Sequence, residues 1–237
     1  MSLPRTARQR VHQEVSAEIL AVARVHLARD GAAGLSLRSV ARDVDMVPSA
    51  LYRYYPGRDA LLSALILSAY GSLADEAERA ADATGASGAS DAARWVAVPR
   101  AMRRWALGHP HEWSLIFGTP VPGYQAPADT VVPYARVAAA LVRPMLEAKA
   151  AGRLADPGSF GDVSDRLARA VLPVIDGLLP DLAPAMVVRA LQAWATLIGA
   201  ISLELFGHWN NTILDPEAFF EETIASMASH IGLSSRQ

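Results

Sequence analysis

Ser36, Arg38, Pro48, Ser49, Ala50, Tyr52, Arg53, Tyr54 and Arg58 set hydroxyl, phenol and guanidinium donors beside small residues in one short stretch of chain. Such donors suit phosphate oxygens and base edges, and small residues let a backbone sink into a groove. A second set is bulkier: Trp105, His109, Trp113, Phe117, Tyr124, Tyr134, Trp194, Glu204 and His208. Aromatics with a few polar groups suit a small apolar or aromatic ligand, and the same aromatics would serve equally as core. Glu204 and His208 stand one helical turn apart, so they either bond each other or read a polar group on a ligand. His109-Pro110-His111-Glu112 has metal-binding residue types, but the proline removes helical ligand spacing and no second cluster lies nearby. No metal or cofactor is expected. The chain carries no nucleophile elbow, phosphate loop or nucleotide fingerprint, which points to binding rather than turnover.

The first set needs two short helices and a turn. Ser36 can cap a helix on which Leu37, Val40, Ala41 and Val44 share one face. Asp45-Met46-Val47 breaks that pattern, and aspartate tolerates the left-handed backbone of a turn. Pro48 suits the first position of a new helix, in which Leu51 points inward, and Pro56-Gly57 ends it. The predicted reader helix spans 48–54, the layout of a helix-turn-helix.

The segment from about Arg10 to Leu62 resembles the DNA-binding domain of the tetracycline-repressor (TetR) family. The resemblance rests on Gly31 and Gly34, on Leu37-Arg38-Ser39-Val40-Ala41, and on Leu51-Tyr52-Arg53-Tyr54-Tyr55-Pro56 followed by Arg58-Asp59-Ala60-Leu61-Leu62. Four positions depart from the family pattern: Asp45 for glycine, Val47 for a capping Ser or Thr, Tyr55 for Phe and Arg58 for Lys. The missing cap at Val47 removes about 1 kcal/mol of helix stabilisation. The body, through Trp105-Ala106-Leu107-Gly108-His109-Pro110, Trp113, Phe117, Trp194 and Leu203 to His208, is similar to a Trp/His/Gly-containing subgroup of regulatory domains in this family. The resemblance implies a dimerising, ligand-sensing helical domain and a bacterial source.

Composition agrees with a helical protein. Half of the 237 residues are apolar and 19% are charged, so the chain has enough apolar mass for a substantial core. Alanine is abundant and strong strand patterns are hard to find. The absence of cysteine excludes disulfides, thiol catalysis and zinc fingers. No apolar run reads as long enough to span a membrane, and no signal peptide is evident, so the expected compartment is the cytoplasm, with no membrane partner. Net charge is −2, but residues 1–60 hold nine arginines against six acids, a local +3 that leaves −5 for the rest. A basic head on an acidic body would orient the protein on a polyanion.

The expected fold class is all-α: an N-terminal three-helix helix-turn-helix DNA-binding domain over 1–57, then a helical ligand-binding and dimerisation domain over 58–237. Residues 1–6 read as a frayed tail, with Arg5, Arg8 and Arg10 near the duplex, where such arms reach phosphates or a minor groove or stay solvated. Helices are expected over 7–29, 58–83, 91–108, 111–117, 130–152 with Pro144 as a kink, 162–179 with Pro173 as a second kink, 184–208 and 216–231. Segments 84–90, 118–128 and 156–161 read as loops. Leu167, Val171, Val174, Ile175 and Leu178 make one apolar stripe, with Val163 and Ala170 beside it. Leu191, Ala195, Ile198, Ser202 and Leu205 make another, widened by Leu197 and Ile201. The two helices would pair with their symmetry mates as a four-helix bundle, or serve only the core of one chain. The resulting expectation is a homodimeric, ligand-responsive regulator, most simply a repressor, on a palindromic double-stranded operator. Its partner would be a small apolar or aromatic effector. A regulator without a small ligand, and a helical ligand-binding protein or enzyme, are the alternatives.

Overall fold

The computed structural model describes residues 7–85, 88–125, 127, 130–155, 163–180 and 182–233. The expected tail at 1–6, the loop at 156–161, Asp162, and parts of the segments at 84–90 and 118–128 lie outside the described residues. Every regular element among the described residues is a helix. The chain forms two units: one of residues 1–70 with 109–131, and one of 71–108 with 132–237.

The first unit starts with α1 (Ala7–Gly34). Its expected stop is realised at Gly31, whose φ of 68° and ψ of 172° break the helix before a last short turn. α2 (Leu37–Asp43) begins at Ser36, whose hydroxyl accepts the Ser39 N–H at 3.5 Å. Asp45 takes a φ of 53°, the left-handed turn residue expected there, and Met46 N–H reaches back to Ala41 O at 2.8 Å. α3 (Pro48–Leu51) follows. The regular reader helix is therefore shorter than the predicted 48–54. Its continuation is a mixed turn, Arg53 N–H to Ala50 O and Tyr54 N–H to Leu51 O, with the Tyr55 N–H also on Leu51 O at 3.0 Å, and Pro56 disfavours further helix at Tyr55. Ile19, Ala23, Val40, Ala41, Leu51, Leu61 and Leu62 are fully buried and join α1, α2 and α3 to the start of α4 (Arg58–Gly85). α6 (Pro110–Phe117) belongs to this unit and packs on α1.

The second unit takes the rest of α4, then α5 (Asp91–Gly108), α7 (Val131–Ala150), α8 (Asp165–Ala170), α9 (Leu172–Gly177), α10 (Pro184–Leu205) and α11 (Pro216–His230). Trp95, Val98, Met102, Val137, Met145, Leu197, Ile201, Phe220 and Ile224 form its buried interior. The single kinked helix expected over 162–179 is two helices. Pro173 cannot donate to the residue 169 carbonyl and its ring crowds it, so the chain breaks at Val171 and restarts with proline in the first turn of α9. α10 stops at Leu205, short of the expected His208. Gly207, at φ 77°, lets its N–H bond Glu204 O and the His208 N–H bond Leu203 O. Asp215 caps α11 through the Ala218 N–H at 2.9 Å, as expected.

One expectation about α10 fails. Within its 22 residues an 18-residue stretch reaches a mean hydropathy of 1.5, so by length and composition it could cross a membrane. Arg189, Gln192 and Glu204 interrupt every contiguous apolar run, which hid the average. Here the helix packs against α5, α8, α9 and α11.

Candidate nucleic-acid interface

The surface around α3 is held by a buried histidine that the sequence reading passed over. His26 is 1% exposed. Arg29, which can only donate, lies 3.1 Å from its Nδ1, so that nitrogen accepts and Nε2–H donates to Asp43 at 2.8 Å. This bond ties α1 to the end of α2, and with Arg42 it holds the Asp43 carboxyl below the usual aspartate range. A signal existed: His26 falls on the stripe of Ile19 and Ala23. On the far side, Tyr55 is half-buried, donates to Ser16 O at 3.5 Å and has its phenol pKa raised by burial. The segment carrying α3 is thus fastened to α1 at both ends.

What remains outward is well defined. Arg38, Pro48, Ser49, Tyr52 and Arg53 are exposed; Ser36, Ala50, Tyr54 and Arg58 are half-buried. Val47 has no side-chain cap bond and is 66% exposed. Tyr54 rests its ring on His12 at 4.7 Å between centroids, an α1 residue absent from the sequence-derived set. Arg58 is turned to the fold: it donates to Ala32 O at 2.8 Å, closing the end of α1.

The cations divide sharply. Among the described residues Arg8, Arg10, Arg38 and Arg53 have no hydrogen-bond or ionic partner. Arg29 and Arg42 are bound to Asp30 and Asp43, and Arg24 to Ser68 and Glu112. In the second unit Arg94, Arg100, Arg103, Arg136, Arg143 and Arg153 are all paired with carboxylates. Arg104, Arg166 and Arg169 are unpaired among the described residues there. A guanidinium left without an anion beside an exposed short helix is available to one from outside.

The ligand candidates fall into both units. In the first, Trp113 is fully buried with Phe117 at 4.5 Å, Phe117 meets Tyr70 edge-on, and Tyr124 shares a 2.9 Å hydroxyl bond with Ser63. His109 is the residue before α6 and is exposed. A cavity of about 330 Å³ in this unit is lined by the end of α1, α6 and the loop after it, and by none of the nine candidates. In the second unit Trp105 donates to Ser72 at 2.9 Å, and Tyr134 meets Trp194 edge-on at 5.7 Å. Glu204 is not paired with His208, the first of the two options open for it. It forms a two-pronged bond with Arg103 at 2.6 and 2.8 Å, because Gly207 ends the helix before His208 can sit one turn on. His208 is exposed. No group of three metal-ligating side chains is present among the described residues.

The expected dimer stripes are partly outward. Leu167 and Leu191 are 40% and 39% exposed, Ala195 is exposed, and Val174, Ile175, Leu178, Ile198, Ser202 and Leu205 are half-buried. Val171 is buried within the chain, and so are Leu197 and Ile201, which share the inward face of α10 with Ala193 and Ala200 rather than widening the outer one.

Comparison with known proteins agrees with this geometry. Residues 19–65 match the family described as bacterial regulatory proteins, tetR family, and residues 95–227 match the tetracyclin repressor-like C-terminal domain. The chain is 38% identical over 234 residues to the HTH-type transcriptional regulator Rv1816 of Mycobacterium tuberculosis, covering 94% of this chain and 96% of that protein. The crystal structure of SCO4313 superposes with a TM-score of 0.76 at 35% identity, over 94% of this chain and all of that one. RolR, crystallised with resorcinol, shares the fold at 16% identity and a TM-score of 0.53, over 96% of each chain. An N-terminal helix-turn-helix and a helical C-terminal domain, matched together over nearly the whole length, make this chain a member of the TetR family of transcriptional regulators, not an enzyme.

Proposed function

We propose that this regulator binds a palindromic operator as a homodimer, most simply as a repressor, and leaves it when a small apolar or aromatic molecule enters the body. The observation that carries the DNA reading is the set of cations without partners around α3, Arg38 and Arg53 above all, while neighbouring arginines are neutralised. Residues 1–57 would do the reading. Arg38, Pro48, Ser49, Ala50, Arg53 and Tyr54 face the major groove and its edges, with Ser36 and Tyr52 on phosphates. Arg58 acts from behind, by positioning the end of α1 against the start of α4.

The half-exposed stripe of α8, α9 and α10 supports a two-fold pairing of two chains, which would set half-sites roughly 34–36 Å apart or a little more. The effector class is supported by the aromatic content of the body and by RolR, a protein of the same fold that holds a small phenol. The Trp/His/Gly subgroup assignment rests on Trp105, His109, Trp113 and Gly207, all inside the matched body. A cytoplasmic location follows for a protein that must reach the chromosome. Footprinting the full chain on its own upstream DNA tests the reading, followed by Tyr52→Phe and Arg53→Ala in the same assay. Protection of an inverted repeat, weakened by both variants without loss of the dimer, is the expected result; unchanged binding of both variants refutes the assignment.

A further inference from the structure

Between the first turns of α1 and the reader segment runs an open groove of about 820 Å³. Arg8 and His12 form one wall; Ala50, Arg53 and Tyr54 form the other, with Met46 from the turn. No carboxylate lines it. The His12 and Tyr54 rings meet within it at 4.7 Å, inclined by 59°, and join the walls. Arg8 and Arg53 are exposed and have no partner among the described residues.

We infer that this groove seats the sugar-phosphate backbone of one DNA strand, gripped by Arg8 from α1 and by Arg53 from the reader segment. The inference rests on the operator-binding reading and adds to it. It brings α1 into the interface and assigns Arg53 to a phosphate rather than to a base edge. The groove is continuous with the face that meets the operator, since Ala50, Arg53 and Tyr54 belong to both. Its open form and two uncompensated guanidiniums suit a polyanion passing through. A small apolar ligand would ask for a closed end and no charge. Tyr54, held by His12, can add its hydroxyl to the same strand.

The test uses the full-length protein and its footprinted operator duplex. Affinity is measured against salt for wild type, Arg8→Ala, Arg53→Ala, Arg53→Lys and Arg38→Ala, on the operator and on single-base variants of it. Arg8→Ala and Arg53→Ala should each weaken all duplexes by one common factor, on the order of tenfold at ~0.15 M salt, and reduce the salt slope by about 1. Arg53→Lys should recover most of the loss, because a point charge serves a phosphate. These side chains are exposed, so helical content and melting should be unchanged. If Arg53→Ala relaxes the preference for one base pair and keeps the salt slope, Arg53 reads a base and the inference fails. If Arg8→Ala changes neither affinity nor slope, the groove holds something other than DNA, such as residues 1–6 of the chain or a small molecule, and the inference fails while the operator reading stands. If Arg38→Ala and Arg53→Ala are also silent, both fall.

Discussion

Replacing Arg103 tests whether Glu204 is a structural staple or a reader of effector. The pair joins α5 to α10 through two bonds of 2.6 and 2.8 Å, with side chains only 16% and 14% exposed. The Arg103 guanidinium also lies 5.3 Å from the centre of the Phe220 ring on α11, so three helices meet at this residue. Bonding to Glu204 raises the Arg103 pKa, so the guanidinium keeps its charge. Losing one partner of a buried pair costs about 3–5 kcal/mol, because the other charge is left uncompensated. The residual exposure lets water relieve part of that, so Arg103→Ala should cost about 2–3 kcal/mol. Glu204→Gln keeps a hydrogen-bond acceptor and should cost about 1–2 kcal/mol. Arg103→Met with Glu204→Leu removes both charges and keeps the volume, so it should recover to within about 1 kcal/mol of wild type. Urea unfolding at one fixed protomer concentration measures all four proteins, since dimerisation would make stability concentration-dependent. Single variants within about 0.5 kcal/mol of wild type, or a double variant equal to the sum of the singles, would refute the staple.

Three further outcomes follow from local geometry. Bonding to Arg153 holds the Asp91 carboxyl below its ordinary value of 3.8, so its stabilisation is complete above that value and disappears as pH falls through the lower folded value. Asp91→Asn should therefore flatten the acid limb of a stability–pH curve below pH 3.8 and lower the plateau above it; parallel curves would contradict this. Val47→Ser supplies the cap that α3 lacks and should stabilise the protein by about 0.5–1 kcal/mol, read as a higher urea midpoint with an unchanged slope. Gly118→Ala would set a Cβ 2.3 Å from the Ser114 carbonyl oxygen, so thermal melting should fall by the equivalent of about 1–3 kcal/mol; an unaltered melt would mean that the end of α6 yields freely.

The helical order was legible because punctuation and period agree. Gly31, Pro48, Pro56, Pro110, Pro184 and Pro216 stand at or beside helix ends, and the apolar positions between them recur at helical spacing. Misreadings occurred where a local conflict had two outcomes. Pro173 was compatible with a kink or a break, and the neighbouring Val171 allowed the break. The regular reader helix is shorter than its expected span, and the proline at 56 disfavours a helical conformation at the residue before it. His26 escaped because a histidine on an apolar stripe shows its purpose only when Asp43, 17 residues on, is seen beside it.

The site is harder to read than the fold, because sequence reports which side chains carry charge and not which charges are already answered. Arg42, Arg53 and Arg58 look alike in the chain, yet Arg42 is bound to Asp43, Arg58 to the carbonyls ending α1, and Arg53 to nothing among the described residues. Partnering is a long-range property for Arg58, whose acceptor lies 26 residues away, and a local one for Arg42, whose acceptor is the next residue. Only the second could be read along the chain. Glu204 is a like case, since its partner Arg103 stands 101 residues away. A net charge of −2 argues little against DNA for this reason. Carboxylates that neutralise arginines inside the second unit subtract nothing from the field of Arg8, Arg10, Arg38 and Arg53 at the reader, where within a Debye length of about 8 Å the local balance decides.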